Sequence, residues 1–162
     1  VNRGILVNDR METSLESIYA AGDCTEGYDI SCRQKRVLAI LPNAYMQGRC
    51  AGINMSGGNE MYNKAIPINS IGFFGLHAMT AGNYSGEVYE EKTETGIKKL
   101  FVSDGLLSGY ILIGNTDRAG IYTSLVRDRV PLDSIDFEML KKVTTLSIFS
   151  QETRRKMLGG VV

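Results

Sequence analysis

The residue of this chain whose surroundings most favour ligand chemistry is Asp23, in the stretch IYAAGDCTE at residues 18–26. An apolar run enters three small residues that end at Gly22, and the carboxylate follows at once. A short buried strand here would leave Asp23 beyond its carboxyl end, where α/β sheets bind ligands. The carboxylate would then offer acceptor oxygens to ligand hydroxyls. A turn aspartate that satisfies backbone N–H groups is the other interpretation open at this point.

Metal and thiol chemistry find little support among the residue types. The chain has three cysteines, Cys24, Cys32 and Cys50, and one histidine, His77, without any C-x-x-C pair. Zinc sites group such ligands at short spacings, so we predict no metal site. A redox dithiol would require Cys24 and Cys32 to meet in space, and separate buried thiols are the simpler expectation. His77 lies in an apolar run, which favours a packed or capped imidazole over proton transfer.

Charge and hydropathy exclude broad classes of partner. The 162 residues carry 18 basic and 18 acidic side chains, so net charge gives no indication of nucleic acid or a membrane surface as partner. The longest wholly apolar run, at 37–41, is far shorter than the ~20 residues of a membrane span. Apolar residues make up 43% of the chain and support a core. An odd number of cysteines fits a reducing compartment, and we expect a cytoplasmic protein.

The first third of the chain is predicted to hold two short strands and one helix. Residues 4–7 and 18–22 have the apolar character of strands, whereas 24–36 show no period and are predicted to be a loop with a solvated basic face. A helix over 42–55 follows from Pro42 at a first helical position, and the glycines after it end the helix. Its stripe of small residues would allow close approach to a sheet or ligand: Ala44, Gly48, Ala51 and Gly52.

The remaining residues predict an antiparallel sheet followed by helices. Three strands occupy 86–114, with a strong hairpin signal at Asp104-Gly105 and a central strand at 110–113. The apolar stretch at 68–79 is predicted to be core, with an interface as the alternative. The helical signals are the apolar spacing of Tyr122, Leu125 and Val126, an inward Phe137 and Leu140 behind an N-cap at Asp136, and a last helix from Ser150 to Gly159-Gly160.

Two segments resemble a known family. GILVNDRMETSLESIYAAGDCTE, residues 4–26, resembles the second flavin-binding motif of FAD- and NAD(P)H-dependent pyridine nucleotide-disulfide oxidoreductases. LPNAYMQGRCAGINMSGG, residues 41–58, resembles the helix that follows it. The resemblance implies that Asp23 binds the flavin ribityl chain and that the helix N-terminus faces the flavin ring, where it would stabilise negative charge. The implied cofactor-binding residues are Gly22, Asp23, Ile40, Leu41 and Pro42.

The nearest branch resembles rubredoxin reductases, NADH oxidases and the flavoprotein part of NAD(P)H-nitrite reductases, through residues 67–76 and 99–126. The implied fold is α+β: the remnant of an FAD-binding α/β domain at 1–60, then a C-terminal domain at 61–162 with a small antiparallel sheet and helices. The family's G-x-G-x-x-G and its NAD(P)H-binding fold do not occur in this sequence. We therefore interpret the chain as the C-terminal portion of a larger flavoenzyme.

The resemblance implies electron transfer from NAD(P)H through FAD to an acceptor such as a nitrite-reducing centre, rubredoxin or oxygen. NAD(P)H would bind outside this chain, no residue here is a predicted catalyst, and we expect the isolated chain to be inactive and to bind FAD weakly or not at all. The expected partners are the rest of the flavoenzyme, a second copy in a homodimer, or an electron-acceptor protein. The basic residues Arg154, Arg155 and Lys156 could dock such a protein, but a solvated helix face is the simpler expectation for them. Two other hypotheses are a non-catalytic dimerisation or acceptor-docking module, and a free-standing ligand-binding protein.

Overall fold

The computed structural model describes residues 1–157, and these form a mixed α+β fold, as predicted. The chain divides into two compact units, Val1–Asn69 and a second unit that begins at Ser70. The predicted domain boundary, after residue 60, lies nine residues before the end of the first unit at Asn69. The assignment of 1–60 and 61–162 to a flavin-binding and a C-terminal domain remains a prediction.

A small three-stranded sheet and one long helix build the first unit. Strand β2 lies between β1, which runs parallel to it, and β3, which runs antiparallel. The side chains that pack beneath the helix form a small apolar core of Val7, Met11, Cys50 and Ala51. The elements are β1 (Ile5–Leu6), β2 (Thr25–Asp29), β3 (Gln34–Val37) and α1 (Leu41–Met55).

The predicted strand at 18–22 and the predicted loop at 24–36 are both wrong. Residues 18–22 make a single isolated bridge, between Tyr19 and Glu12, while 24–36 contain β2 and β3. The strand β2 reads TEGYD, yet most of it is buried. Polar residues can line a buried strand when each finds a hydrogen-bond partner, and a hydropathy pattern cannot show those partners.

The predicted helix at 42–55 is confirmed, although the helix begins one residue earlier, at Leu41. The helix ends at Met55, and Gly57 follows with φ +88°, a conformation that suits glycine. Only part of the small-residue stripe packs closely against other described residues. A Cβ at Gly48 or Gly52 would meet no atom within 4 Å, so neither glycine supports the close approach expected of it.

A five-stranded sheet in the order β4-β5-β8-β7-β6 dominates the second unit. The pairs β5–β8, β7–β8 and β6–β7 are antiparallel. The three strands predicted within 86–114 are confirmed, as is the central place of residues 110–113. The strands are β4 (Ile68–Phe73), β5 (Leu76–Gly82), β6 (Glu87–Thr93), β7 (Gly96–Ser103) and β8 (Leu106–Ile113).

Helix α2 covers one face of this sheet and closes an apolar core. Its inward residues Tyr122, Leu125 and Val126 are buried, as predicted, and the rings of Tyr122 and Tyr110 lie 5.5 Å apart. The hydroxyl groups of these tyrosines bond to Thr144 and Thr123, so neither ring buries an unpaired oxygen. The helix spans Ala119–Asp128.

Two short helices complete the described chain. Asp136 caps α3 by accepting a hydrogen bond from the Met139 N–H at 2.8 Å, as predicted. Leu140 is buried and Phe137 half-buried, in agreement with their predicted inward positions. Ser150 accepts a bond from the Thr153 N–H and caps α4, whose predicted end at 159–160 lies outside the described residues. The helices are α3 (Phe137–Lys142) and α4 (Gln151–Met157), and 3-10 turns occur at Leu132–Ser134 and Leu146–Ile148.

The β4–β5 hairpin is exposed, so the prediction of a core segment at 68–79 is wrong. Ile71 is 63% exposed, Phe73 68%, Phe74 97% and Leu76 50%. The cause is topological: β4 is the edge strand of the sheet, and α2 packs on β5 and β8. His77 is also exposed, so of the two expected states, a packed or a capped imidazole, the packed one is wrong. Within residues 1–157, no helix has the length and apolar character needed to cross a bilayer.

Candidate functional site

Asp23 occupies a tight turn between the Tyr19 segment and β2. The Thr25 N–H donates to the Gly22 carbonyl at 3.0 Å, and Gly22 has φ +89°, which glycine adopts without strain. Asp23 is exposed, and its carboxylate has no hydrogen-bond or ion-pair partner among residues 1–157. The alternative in which Asp23 satisfies nearby backbone N–H groups is therefore not what the structure shows. The carboxylate is free to accept bonds from a ligand.

The turn lies against the first residues of α1. A Cβ at Gly22 would sit 3.7 Å from the Ala44 Cβ, and the Ala44 N–H donates to the Ile40 carbonyl at 3.0 Å. Ala44 thus lies next to Gly22 and is hydrogen-bonded to Ile40, the N-cap residue. The structure therefore places Gly22, and the turn that also holds Asp23, beside the first turns of the helix that begins after Ile40 with Leu41 and Pro42.

The helix α1 carries no acidic or capping side chain at its own N-terminus. Ile40 offers no side-chain cap, and no acidic residue occurs in the first turn. Leu41 is 83% exposed and Pro42 is exposed as well. The positive end of the helix dipole at this point favours an approaching negative or acceptor group.

Gln47 holds the Asp23 turn to the helix. Its side chain is buried, and Oε1 accepts hydrogen bonds from the Gly22 N–H at 2.7 Å and from the Thr25 hydroxyl at 2.8 Å. Sequence reasoning missed both Gln47 and Thr25. The available signal was a glutamine one turn after Ala44 on the helix face that also carries Cys50 and Ala51, where an unpaired amide would be costly.

Asn43 supplies a buried acceptor near the same helix end. Its Nδ2 donates to the Leu38 carbonyl at 3.0 Å, whereas Oδ1 is buried without a partner in the part of the chain that the structure describes. Buried amide oxygens are nearly always hydrogen-bonded. The Asn43 amide therefore leaves one buried acceptor without a partner near the start of α1.

The two carboxylates of β2, Glu26 and Asp29, differ from Asp23 because they form hydrogen bonds within the fold. Buried Glu26 accepts bonds from the backbone N–H groups of Arg3 and Gly4, and these bonds, chiefly that from Gly4, hold the pKa of Glu26 below its ordinary value. Buried Asp29 accepts from Arg36 at 2.6 Å and from the Ser31 hydroxyl at 2.7 Å. Of these three carboxylates, Asp23 is the one that is exposed and available to a ligand.

The basic residues after β2 are exposed, as expected, but two of them also form bonds to other residues of the first unit. Lys35 donates to the Val7 carbonyl at 2.8 Å, and Arg36 pairs with Asp29. Arg33 is exposed. Residues 33–36 therefore form a solvated surface, and two of them also hold β3 to Val7 and to β2.

The three cysteines are free and differ in burial. Cys50 is buried, and burial raises the pKa of its thiol, as it does for half-buried Cys32. Cys24 is exposed beside Asp23, so the expectation of buried thiols is wrong for this residue. Among residues 1–157, no group of three His, Cys, Asp or Glu side chains is arranged to hold a metal ion.

Comparison with known proteins finds a family that the first part of the chain resembles. The model of the pyridine nucleotide-disulphide oxidoreductase family matches residues 1–48, which include the Asp23 turn and the start of α1. Residues 1–48 of the chain are therefore similar to this family. The epsilon subunit of NADH-dependent phenylglyoxylate dehydrogenase from Aromatoleum evansii is 37% identical over 139 residues. NADH:rubredoxin oxidoreductase from Clostridium acetobutylicum is a solved structure with a TM-score of 0.65 and 26% identity, and the alignment covers 88% of the present chain.

The electron transfer subunit of the assimilatory nitrate reductase of Bacillus subtilis strain 168 is a third relative, 33% identical over 138 residues. The matched region covers 80% of this chain in both curated relatives, but only 33% of the dehydrogenase subunit and 17% of the nitrate reductase subunit. It covers 38% of the solved rubredoxin oxidoreductase. The chain therefore spans between about a sixth and two fifths of the proteins that it matches.

Proposed function

We propose that this chain forms part of an FAD-dependent NAD(P)H oxidoreductase and supplies the turn and helix end that hold the flavin. The observation that carries the proposal is the exposed Asp23 carboxylate, which has no partner among residues 1–157 and sits in a turn fixed against α1. FAD would supply the redox chemistry by taking electrons from NAD(P)H and passing them on. The acceptor we propose is a nitrite-reducing centre, rubredoxin or oxygen.

Each residue of the site has a role that its geometry supports. Asp23 would accept hydrogen bonds from ribityl hydroxyl groups, because its oxygens are free. The uncapped α1 end at Ile40, Leu41 and Pro42 would face the flavin ring and favour negative charge on it. No residue here is given a proton-transfer role.

The decisive experiment captures the protein from its source cells with an antibody raised against this chain, and then measures its mass and bound flavin. We expect a yellow protein whose flavin absorbance is bleached by NADH or NADPH. A colourless protein that does not bind added FAD would contradict the proposal. A different hydroxylated ligand would then have to be sought for Asp23.

A point variant tests the assigned ligand. Asp23→Ala should raise the FAD dissociation constant roughly tenfold to a hundredfold, because a hydrogen bond to a charged acceptor contributes about 1.5–3 kcal/mol. Glu16→Gln is the matched control, since Glu16 is an exposed carboxylate on the preceding loop. Equal FAD affinity in wild type and Asp23→Ala would remove Asp23 from the site.

A second function, self-association or acceptor docking through the second unit, is favoured by the exposed hairpin. Four large apolar side chains cluster there, Ile71, Phe73, Phe74 and Leu76, and contiguous exposed apolar groups are typical of protein interfaces. Sedimentation of wild type and of Phe74→Ser tests self-association. A concentration-dependent dimer that the substitution abolishes supports it, and a monomer at all concentrations contradicts it.

A further inference from the structure

Three side-chain amides, rather than apolar groups, line much of the buried face of α1. Asn43 donates to the Leu38 carbonyl, Gln47 bonds to the Asp23 turn, and Asn54 donates to the carbonyls of Arg10 and Glu60. Each amide fastens a different loop to the helix. Of the three, Gln47 alone bonds to the loop that carries Asp23.

One oxygen atom of Gln47 reaches both ends of that loop. The Gly22 N–H donates to Oε1 at 2.7 Å, and the Thr25 hydroxyl is 2.8 Å from the same atom. Gly22 and Thr25 are the first and last residues of the turn that the Thr25 N–H to Gly22 carbonyl bond closes. Oε1 therefore fixes the whole turn against the helix.

Asp23 depends on this anchor for its position. Its own carboxylate has no hydrogen-bond partner among residues 1–157, so the backbone of the turn determines where the side chain points. A polar group that binds a ligand must be held closely in place, because a displacement of about 1 Å can cost up to ~100-fold in rate. The residue that fixes the backbone thus acts on the ligand through Asp23.

We propose that Gln47 is a positioning residue, which sets the place of the Asp23 carboxylate for the flavin ribityl chain without touching the flavin. The inference rests on the proposed function. The anchor must be an acceptor, since the Gly22 N–H that it binds can only donate. A glutamate at this position would keep the acceptor, whereas a methionine of similar length would remove it.

A double-mutant cycle in the protein purified from its own cells separates positioning from a general structural role. Gln47→Met should weaken FAD binding about tenfold, and Gln47→Glu should restore most of that loss at neutral pH. In an Asp23→Ala background, Gln47→Met should change the FAD dissociation constant less than about twofold, because both variants lose the same contact. Effects of the two substitutions that multiply independently would overturn the proposal.

Asn54→Leu is the matched control, because it removes a buried amide from the same face of the same helix at a different loop. We expect it to lower stability while leaving the FAD dissociation constant of the folded protein within about twofold of wild type. A weakening by Asn54→Leu as large as that by Gln47→Met would mean that loss of any buried amide suffices. That result would also overturn a specific role for Gln47.

Hydrogen exchange of the Gly22 amide tests the anchor without flavin. The amide should be protected in wild type and in Gln47→Glu, and should exchange at least tenfold faster in Gln47→Met. Unchanged Gly22 exchange in Gln47→Met overturns the positioning role, whatever the protein binds. Absence of FAD binding in wild type, with Gly22 exchange as expected, instead overturns the proposed function and the flavin as the ligand of Asp23.

Discussion

The two units differ in what fills the space beneath their helices. Under α2, the buried side chains are all apolar or aromatic, and they include Tyr122, Leu125 and Val126, which pack on a regular antiparallel sheet. Under α1, the buried side chains include Asn43, Gln47 and Asn54, and each bonds to a loop. Apolar packing has no direction, whereas a hydrogen bond fixes the position of its partner. The first unit is therefore built to hold particular loops in place.

The placement of charge follows the same division. Glu26 and Asp29 are buried in the first unit and bonded to backbone or Arg36. In the second unit, Glu90 and Glu91 pair with lysines on the surface of the sheet. Surface pairs contribute little, while a buried acid that loses its partners is strongly destabilising. Single polar substitutions should thus damage the first unit more than the second.

The largest expected effect is loss of apolar packing in the second unit. Leu125 is fully buried, so Leu125→Ala should lower the free energy of unfolding by about 2–5 kcal/mol through lost burial and a cavity. Urea unfolding, with hydrogen exchange read on peptides from residues 100–126, measures it. Arg127→Ala on the same helix is the control and should cost less than about 0.5 kcal/mol. A cost below 1 kcal/mol for Leu125→Ala would contradict an apolar core here.

The next effect tests the polar anchoring of the first unit. Asn54 donates to the carbonyls of Arg10 and Glu60, and accepts from the Glu60 N–H at 2.8 Å. Asn54→Leu should cost about 1–3 kcal/mol, because buried backbone groups lose their partners although apolar volume is gained. Asn63→Leu, at an exposed position, is the control. Stabilisation by Asn54→Leu would mean that the amide is not the anchor.

A smaller effect comes from backbone conformation at the candidate site. Gly22 has φ +89° and enough space for a Cβ, so Gly22→Ala should cost about 1 kcal/mol through strain, without a steric clash. Gly48→Ala is the opposite case: it lies in the middle of α1 with open space, and alanine should stabilise by about 0.5–1 kcal/mol. Thermal unfolding of both variants checks the signs. A stabilising Gly22→Ala would contradict the positive φ.

The sequence predicts the second unit better than the first, and the contrast between the helices explains why. The apolar spacing of Tyr122, Leu125 and Val126 and the turn at Asp104-Gly105 follow rules of hydrophobic period and turn chemistry, which can be read along the chain. Strand β2 is buried through polar side chains whose partners lie far away in sequence, such as Glu26 with Gly4. No local pattern carries that information, and β2 was predicted as a loop.

The candidate site shows the same limit. Gly22, Asp23 and the start of α1 could be named because a family motif spans them. Gln47 could not, since its importance depends on Gly22 lying 25 residues earlier in the chain. The exposed hairpin at Phe73 and Phe74 was also mispredicted, because an apolar stretch does not reveal whether its strand lies at the edge of a sheet.

The smallest expected effect is a pH dependence at Glu26. Its folded-state pKa is lowered chiefly by the Gly4 N–H, so the stability it contributes is present above the ordinary value of 4.5 and is lost as the pH falls through the lowered folded-state value. Glu26→Gln should flatten the loss of stability in this acidic range, and exposed Glu16→Gln should not. Urea unfolding of the three proteins at several acidic pH values measures the slopes. A slope in Glu26→Gln equal to that of wild type would place the acid sensitivity at another carboxylate, and would show that charge on Glu26 is not part of what holds residues 3 and 4 to β2.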